Sequence, residues 1–555
     1  MAKPTVLIIN ANIYTMDPTS PHAEAMAIDR DGRVSAIGSL DELHALARRG
    51  VEIIDLQGKT VIPGFFDCHL HLLWLGFNLS NVDLTSPPVA STEDIVRLLS
   101  RRLAENPNLE CVQGNGYDQN SLSDASHPDR ADLDRVSTNV PVRIVHTSGH
   151  AAVVNSVAMR QMGIDRDTPD PIGGEIVRDA GGEPTGLLLE TASWNNVESI
   201  IPTPEQGELR GALKLANQYL LKRGITSVGD ANTAPDVIGA YRDAVLTNAL
   251  RVRTNLMVSW DEISKLYDDD LPGPDALQPE GCSWHRLHVG QAKLFSDGAI
   301  TTRTCWLNEP FLDSVATNPN PCGIPLHPPE ELANLVISAH NAGWQVATHA
   351  IGDRAIELVL NCYAEAQKQK TRHRPRHRIE HSMLLDPGLI RRMRRQNVWS
   401  IGQPEFISRL GDAYISALGE ARAFRLSPYA SLEENDVAQA FSSDCPVVPG
   451  APLAGIRAAL ERKTPAGVTL NAEEKLSIET ALYNYTAAPA WATRTERDRG
   501  TLEIGKLGDF VVLTGDILKQ SIGSLRTESG TEWDSLDVEA TYIGGECLYS
   551  KHDLG

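Results

Sequence analysis

The chain has 555 residues, of which 41% are hydrophobic and 22% charged, and its formal net charge is -21 at pH 7. A chain of this length can bury a large core and is expected to form more than one domain. The acidic balance argues against sequence-independent nucleic-acid binding, which needs a basic face, and against docking on anionic lipid. We therefore expect a cytoplasmic protein with neither nucleic acid nor a membrane as a partner.

Signals for export and for disulfide chemistry are not found. Residues 1–10 lack the apolar stretch and the cleavage site of a signal peptide, and no apolar run approaches the length of a membrane span. The eight cysteines include no C-x-x-C pair, which predicts reduced and mostly buried thiols.

The two ends of the chain carry similar β patterns. Residues 5 to about 60 predict short strands, with an Asp31-Gly32 turn between 25–30 and 34–37. Near the other end, 509–513 is an apolar run, and Gly544-Gly545 joins two further runs. Each end is too small to form a stable sheet alone. We expect residues 1–60 and 495–555 to form one composite β-sandwich domain.

The middle of the chain alternates short apolar runs with helical stretches. Eight runs have the length of buried strands: 61–70, 225–229, 252–258, 289–295, 345–348, 377–379, 398–401 and 438–441. Stretches such as 205–223 and 329–342 have helical spacing and stop at a glycine. This alternation predicts an α/β fold, a (β/α)8 TIM-type barrel over residues 61–494.

One gap is too long for a plain barrel. About 150 residues separate His71 from the run that begins at Ile225, far more than one βα unit needs. Within the gap, 92–105 predicts a helix, and 173–188 predicts a hairpin around Ala180-Gly181-Gly182. We expect an inserted subdomain at about 75–222, after the first barrel strand, on the face where barrel enzymes carry out their chemistry.

Two histidines stand at the end of the first predicted barrel strand. His69 and His71 are two residues apart, so on a strand their side chains point the same way and could hold one ion. An isolated H-x-H is more often a pair of core histidines. The Pro-Gly that precedes this apolar run, and the Asp-Cys-His-Leu-His that ends it, favour metal ligands here.

Four further candidate ligands lie at or near later strand ends. His349 and His381 are imidazoles where a strand meets a loop, which suits zinc. Lys293 lies inside an apolar strand: it either extends to solvent, pairs with a carboxylate such as Asp297, or is neutralised by burial and reacts with CO2 to give an anionic carbamate ligand. Asp444 alone would be a turn or capping residue, but with the other ligands it fits a metal ligand that is also the general base.

Five segments occur in an order that resembles a known family. They are Pro-Gly-Phe-Phe-Asp with its H-x-H, Lys-Leu-Phe-Ser-Asp-Gly-Ala, Thr-His-Ala-Ile-Gly-Asp-Arg, Ile-Glu-His-Ser and Ser-Ser-Asp-Cys-Pro-Val. Over about residues 6–513 the chain resembles the amidohydrolase superfamily, specifically its YtcJ-like branch, amidohydrolase family 3, which includes N-substituted formamide deformylases. The resemblance implies a barrel with a small β-sandwich and a binuclear divalent metal centre.

The resemblance also implies a role for each ligand. His69 and His71 would bind one metal with Asp444, carboxylated Lys293 would bridge, and His349 and His381 would bind the second metal. The two ions would be zinc by the donor types, with iron, manganese or cobalt as alternatives. The implied reaction is hydrolysis of a carbon–nitrogen bond other than a peptide bond, of amide, N-formyl, carbamoyl or cyclic imide type, in a small molecule through a metal-bound hydroxide.

Other functions stay open on the sequence. A deaminase of a heterocyclic amine would use one metal and no bridging lysine, so Lys293 counts against it. A non-catalytic scaffold on the same fold would be expected to lose ligands. Ester, lactone or phosphotriester hydrolysis at the same centre is a further alternative, because a fold does not fix the bond that is cut. Symmetric homodimers are common, so a homodimer is the default assembly.

Five residues are candidates for substrate binding: Tyr117, Asp118, His150, Arg303 and Arg354. The first three lie in the insertion, in positions that resemble substrate-pocket segments of the family. The two arginines follow predicted strands and could bind an anionic or carbonyl group. Each of the five could instead make a structural hydrogen bond or a surface ion pair.

Overall fold

The computed structural model describes residues 4–46, 50–267, 270–312, 320–519 and 535–552. In this part of the chain the strands form four sheets: one of eight strands, two of six and one of four. The eight-stranded sheet carries the candidate ligands, and the other three sheets are built from the chain ends and from the insertion.

The eight-stranded sheet is a parallel barrel, as predicted. Neighbouring strands pair in parallel throughout. We number the strands in chain order: β1 Phe65–Leu70, β2 Ile225–Thr233, β3 Arg253–Ser259, β4 Leu287–Phe295, β5 Gln345–Ala350, β6 Arg378–His381, β7 Trp399–Gly402 and β8 Gln439–Phe441. They begin and end within a few residues of the predicted runs, and β2 extends furthest beyond its run.

The seam between the first and last strands is closed just beyond β8. The Asp444 backbone N–H donates to the His69 carbonyl, and the His71 N–H donates to the Cys445 carbonyl, both at 2.8 Å. The sheet therefore closes into a TIM-type barrel, and its carboxyl end is where the chain leaves each strand.

Helices follow the strands and cover the barrel. The helix Gln206–Leu221 begins after Glu205, whose carboxylate takes part in a capping box, and buries one apolar face that includes Leu213 and Leu220. This helix falls within the predicted range of the insertion, 75–222, but its buried face belongs to the barrel core. The other described helices apart from those of the inserted sheet are Leu40–Leu43, Leu72–Asn78, Ile238–Leu246, Trp260–Tyr267, Pro329–Asn341, Asp353–Gln369, Pro387–Gln396, Glu405–Leu418, Glu420–Ala423, Tyr429–Glu434, Pro452–Glu461, Ile478–Asn484 and Ala487–Ala492. Strands and helices share one large apolar core.

The chain ends form a β-sandwich. A four-stranded sheet contains Pro4–Ile9, Ala25–Asp29, Val34–Gly38 and Glu52–Asp55. A six-stranded sheet combines both ends of the chain: Asn12–Tyr14, His22–Ala23, Thr60–Pro63, Phe510–Leu513, Val538–Ile543 and Glu546–Ser550. Ile8 and Ile28 of the first sheet pack with Val61 and Phe510 of the second in one apolar cluster.

One predicted strand is divided in the structure. The run 61–70 was predicted as a single barrel strand, but Thr60–Pro63 belongs to the terminal sandwich and only Phe65–Leu70 to the barrel. Gly64 lies between them, and a Cβ there would come within 2.1 Å of Thr226 Oγ1. The chain changes sheets at the one residue that fits against β2, a contact that an uninterrupted apolar run does not reveal.

The insertion has its own six-stranded sheet and apolar clusters. Its strands are Val82–Asp83, Val112–Tyr117, Val142–His146, Ala151–Val154, Gly174–Arg178 and Pro184–Glu190, and its helices are Thr92–Glu105, Arg130–Asp134, Ser156–Gln161 and Thr191–Trp194. The last two strands form the predicted hairpin. Within the described ranges, no helix combines the length and the apolar character needed to cross a bilayer.

A buried ion pair joins the barrel to the terminal sandwich. Arg253 on β3 donates from Nε and Nη2 to the two carboxylate oxygens of Asp509, at 2.5 and 2.8 Å. The Asp509 carboxylate also accepts a hydrogen bond from the Gly544 N–H at 2.8 Å. Both side chains of the pair are buried, so each charge depends on the other for compensation.

We expect Asp509→Asn to lower the free energy of unfolding by about 3–5 kcal/mol, because it leaves the Arg253 guanidinium buried without a counter-charge. Denaturant titration would measure the loss. The pair Arg251–Glu546, in which the carboxylate is exposed, provides a control, and Glu546→Gln should cost no more than about 1 kcal/mol. Equal losses in the two variants would show that the buried pair does not stabilise the junction.

Candidate metal centre

All six candidate ligands lie at the carboxyl end of the barrel or within the strands that lead to it. β1 carries His69, with His71 immediately after it, and β8 is followed three residues later by Asp444. The other three lie on consecutive strands: Lys293 on β4, His349 on β5 and His381 at the end of β6. Parallel strands bring these positions to one mouth.

Three of the ligands meet closely. His69 Nε2 lies 3.2 Å from Asp444 Oδ1, and His71 Nε2 lies 3.1 Å from the same oxygen. One donor atom from each residue lies within 4.8 Å of the other two. This spacing lets two imidazoles and a carboxylate share one ion after small side-chain adjustments.

The remaining two imidazoles lie beside this group. The ring centroid of His381 is 5.1 Å from that of His69 and 4.5 Å from that of His349. His349 Nε2 lies 3.1 Å from the Gly298 carbonyl oxygen, which leaves Nδ1 as its nitrogen for a metal in this arrangement. Burial lowers the pKa of His381 to about 3 and that of His349 well below the ordinary value. Both rings are thus neutral at pH 7, the form that binds metals.

Three histidines are oriented through their second ring nitrogen. His69 Nδ1 contacts the Glu380 carboxylate, His71 Nδ1 donates to the Ala231 carbonyl at 3.0 Å, and His381 Nδ1 donates to Gln403 Oε1 at 2.9 Å. Each contact assigns the proton to Nδ1 and leaves Nε2 as the ligand atom.

Glu380 is itself held by a buried arginine. Arg378 donates to both Glu380 oxygens, at 2.5 and 2.8 Å, and neither side chain is exposed. Burial alone would raise the pKa of Glu380, but Arg378 and His69 hold it well below the ordinary value. The carboxylate that orients His69 is therefore ionised.

Lys293 is a buried amine without a hydrogen bond. The side chain is fully buried, and no group in the described residues bonds to its Nζ, which lies 4.6 Å from the ring centroid of Phe295. Burial lowers its pKa to about 8, although Glu380 and Asp444 act in the opposite direction. Asp297 instead accepts N–H bonds from Trp306, Ile351 and Gly352. An unmet buried donor next to imidazoles fits a position where a further ligand group completes the site.

The candidate substrate residues occupy different places. His150 lines the cleft over the barrel mouth; its Nδ1 lies 2.7 Å from Glu190 Oε2, and its ring centroid lies 5.1 Å from that of His349. Burial alone would lower the pKa of His150, but Glu190 raises it above the ordinary value. This residue is positioned to contact a ligand in the cleft.

The other four candidates make internal contacts. Tyr117 is buried, with its hydroxyl 3.0 Å from His127 Nδ1, and Asp118 accepts the Asn120 N–H at 2.9 Å. Arg303 donates to the carbonyls of residues 300 and 301, and Arg354 stacks on Trp306. The cleft lining includes none of these four residues, so their predicted contact with substrate stays a prediction.

The cleft has a volume of about 1130 Å³ and runs from His71 into the insertion. Its lining includes four aromatic residues that the sequence analysis did not identify: Trp74, Phe77, Trp194 and Phe295. Phe295 is two residues from Lys293 on β4, so strand alternation could have placed it on the same face. Arg143 also lines the cleft, and a charged residue within an apolar strand could likewise have been identified from the sequence as a candidate site residue.

The donor set fits divalent metal ions. Neutral imidazoles, an ionised carboxylate and a buried amine converge where barrel enzymes keep their chemistry. Burial holds the pKa of both Cys68 and Cys445 above the ordinary value, so neither is a thiolate ligand. Metal-dependent hydrolases are the class of barrel protein that this arrangement describes.

Comparisons with known proteins identify the family. Residues 52–549 match the amidohydrolase family, and the chain belongs to it. YtcJ of Bacillus subtilis (strain 168) is 32% identical over 97% of this chain and 98% of its own length. N-substituted formamide deformylase of Arthrobacter pascens is 29% identical over 98% of both chains.

A solved structure agrees with this assignment. The crystal structure of an uncharacterized metal-dependent hydrolase from Pyrococcus furiosus is 29% identical, covers 93% of this chain and all of its own, and superposes with a TM-score of 0.71. The protein is a metal-dependent hydrolase that acts on carbon–nitrogen bonds other than peptide bonds.

We expect Gln403→Leu to weaken metal binding by about 10- to 100-fold, because His381 loses the acceptor that fixes its ring. Competition with a chelator would measure the change. Gln403→Glu keeps an acceptor at the same place and should stay within a few-fold of the unsubstituted protein. If Gln403→Leu also retained its affinity, the orientation of His381 would not depend on this contact.

Proposed function

We propose that the protein hydrolyses an amide-type bond with a small acyl group, of which N-formyl is the best-fitting case, at a centre of two divalent ions. One observation carries the proposal: His69, His71 and Asp444 bring donor atoms within 4.8 Å of one another beside the unbonded amine of Lys293. Imidazole and carboxylate donors favour zinc. Ions held there would polarise the substrate carbonyl and supply an activated water.

Lys293 is proposed to be carboxylated and to bridge the two ions. Only an unprotonated amine reacts with CO2, and a pKa of about 8 leaves a useful fraction of Lys293 unprotonated at neutral pH. The carbamate would bring a negative charge to a place where His349 and His381 are neutral. His349 and His381 would hold one ion on one side of the carbamate. His69 and His71 would hold the other ion, the proposed first metal, on the opposite side.

Asp444 is proposed as the general base and acid. Its carboxylate accepts the proton of the attacking water and returns it to the leaving nitrogen. Burial alone would raise the pKa of Asp444, but contacts with His69 and His71 hold it well below the ordinary value. The basic form is therefore present throughout the neutral and mildly acidic range.

The space around the centre supports a small acyl group. A second cavity of about 20 Å³ lies beside the ligands, and its lining includes His150, His349, His381, Tyr414 and Asp444. That volume holds about one water-sized group. The large cleft shares His150 with this cavity in its lining and has room for the nitrogen substituent. Similarity to an N-substituted formamide deformylase supports the same arrangement, with a small acyl group at the centre and a larger substituent on the nitrogen.

The test combines metal analysis with a panel of formamides, N-acyl compounds and cyclic ureas. We expect about two ions per chain and faster hydrolysis of formamides than of the matching acetamides, because the small cavity excludes larger acyl groups. One ion per chain together with release of ammonia from a heterocyclic amine would favour deamination instead.

We expect Lys293→Ala to lower metal content and amide hydrolysis by more than about tenfold, because the bridging ligand is lost. Lys214, an exposed lysine in the cleft lining, is the control, and Lys214→Ala should keep its metal. Isotopically labelled bicarbonate should give a carbamate signal in the unsubstituted protein and none in Lys293→Ala. Full metal content in Lys293→Ala would remove the bridging role.

We expect Asp444→Asn to reduce kcat by about 100- to 10,000-fold, because the amide cannot accept the proton of the attacking water. Its oxygen still reaches the metal, so metal content and KM should change far less than kcat. Steady-state kinetics on the metal-loaded variant would measure both. A kcat within about threefold of the unsubstituted enzyme would assign proton transfer to another group.

A further inference from the structure

One side of the cleft is a face of the inserted sheet. The strands Val112–Tyr117 and Val142–His146 run in parallel and pair Gln113 with Arg143 and Asn115 with Val145. Paired residues, and residues two apart on a strand, share one face of a sheet. All four line the cleft, so the insertion presents a largely polar surface to whatever occupies it.

Arg143 brings a positive charge to this surface without a matching negative one. Its Nη2 donates to the Ser193 carbonyl at 3.2 Å, and no carboxylate in the described part of the chain forms an ion pair with it. Burial lowers the pKa of Arg143 to about 10, which still leaves it charged at neutral pH. The side chain is half-buried in the wall of the cleft. Charges withdrawn from water are ordinarily paired, and no counter-charge for Arg143 is found in the described chain.

Asn115 adds an unused hydrogen-bond donor on the next strand. The residue is 7% exposed, and its Nδ2 has no hydrogen-bond partner among the described residues. Leaving a buried amide donor unmet costs stability. A ligand that accepts hydrogen bonds in the cleft would satisfy Asn115 and Arg143 together.

The charges around the cleft favour an anion. Arg102 and Lys214 also line it. Among the described lining residues the one carboxylate is Glu208, which accepts the Glu205 N–H at 2.9 Å as part of a helix cap. The cleft is thus locally positive in a chain whose net charge is -21. Such a local reversal of sign concentrates anionic ligands.

We propose that Arg143 and Asn115 form a carboxylate-binding subsite, so that the preferred substrates are amides with a carboxylate on an apolar or aromatic nitrogen substituent. The identity of the bond that is cut rests on the proposed function; the subsite itself does not. The planar guanidinium matches a carboxylate with two hydrogen bonds, and Asn115 donates a third. The rings of Trp74, Trp194 and Phe295 line the same cleft and suit the apolar body of the ligand.

The test is calorimetric titration of the metal-loaded protein with two non-reacting probes. Hydrocinnamate carries an aromatic ring and a carboxylate, and benzylacetone replaces the carboxylate with a neutral ketone. The unsubstituted protein should bind hydrocinnamate at least about tenfold more tightly. Arg143→Gln should weaken hydrocinnamate by about 10- to 100-fold and benzylacetone by less than about threefold, the range expected for hydrogen bonds to a charged group.

Two further variants separate the subsite from its surroundings. Lys214→Gln removes an exposed cation from the same cleft and should weaken hydrocinnamate by no more than about threefold. Asn115→Ala should weaken it by about three- to tenfold without lowering the melting temperature, because Nδ2 has no protein partner to lose. A purely structural asparagine would instead lower the melting temperature and leave affinity unchanged.

Three results would overturn the subsite. The first is that hydrocinnamate does not bind measurably. The second is that the unsubstituted protein and Arg143→Gln bind hydrocinnamate with equal affinity, as expected for a carboxylate held only by the metals. The third is that Lys214→Gln loses as much affinity for hydrocinnamate as Arg143→Gln does. Measuring turnover separates failure of the subsite from failure of the proposed function. If no amide of the panel is hydrolysed but Arg143→Gln still weakens hydrocinnamate, the proposed function fails and the subsite stands. If amides are hydrolysed and Arg143→Gln binds hydrocinnamate normally, only the subsite fails.

Discussion

The site depends on the closure of the barrel between its first and last strands. The Asp444 N–H bonds to the His69 carbonyl, and the His71 N–H bonds to the Cys445 carbonyl. The same few residues supply three of the candidate ligands, although 373 positions separate His71 from Asp444 along the chain. A closed sheet has no free edge to shift in register. The backbone therefore fixes the distance between these side chains before any metal binds.

A second constraint is electrical, because the mouth of the barrel buries several ionisable groups. Glu380 neutralises Arg378 and orients His69 with the same carboxylate. Arg378 also donates to the Cys68 carbonyl at 2.8 Å, which ties β6 to β1. Burying such a pair is tolerated only when its hydrogen bonds are well made. Among the described residues Lys293 has no such partner, and the carbamate proposed for it would remove an unmet buried donor from this crowded region.

The sequence predicted the parts that repeat and missed the parts that depend on distant contacts. Alternation along one strand was enough to place His69 and His71 on one face, and repeated apolar runs were enough to predict eight barrel strands. The break at Gly64 was missed because the apolar pattern continues across it. Gln403 was missed because its importance comes from His381, which is 22 residues away in the chain and adjacent to it only in the folded protein. No local pattern carries that information.

The proposed chemistry and the proposed selection of substrate come from different parts of this fold. The barrel gathers the ligand candidates, whereas the inserted sheet supplies one wall of the cleft above them. His150 connects the two: it is held by Glu190 of the insertion and lines both the cleft and the small cavity at the centre. A Cβ at Gly298 would come within 2.0 Å of Glu190 Oε1. The loop after β4 therefore needs a residue without a side chain at this position, so that Glu190 of the insertion can approach. If the proposed subsite is right, substitutions in the inserted sheet would alter which molecule is bound, while the barrel seam and the candidate metal ligands would stay in place.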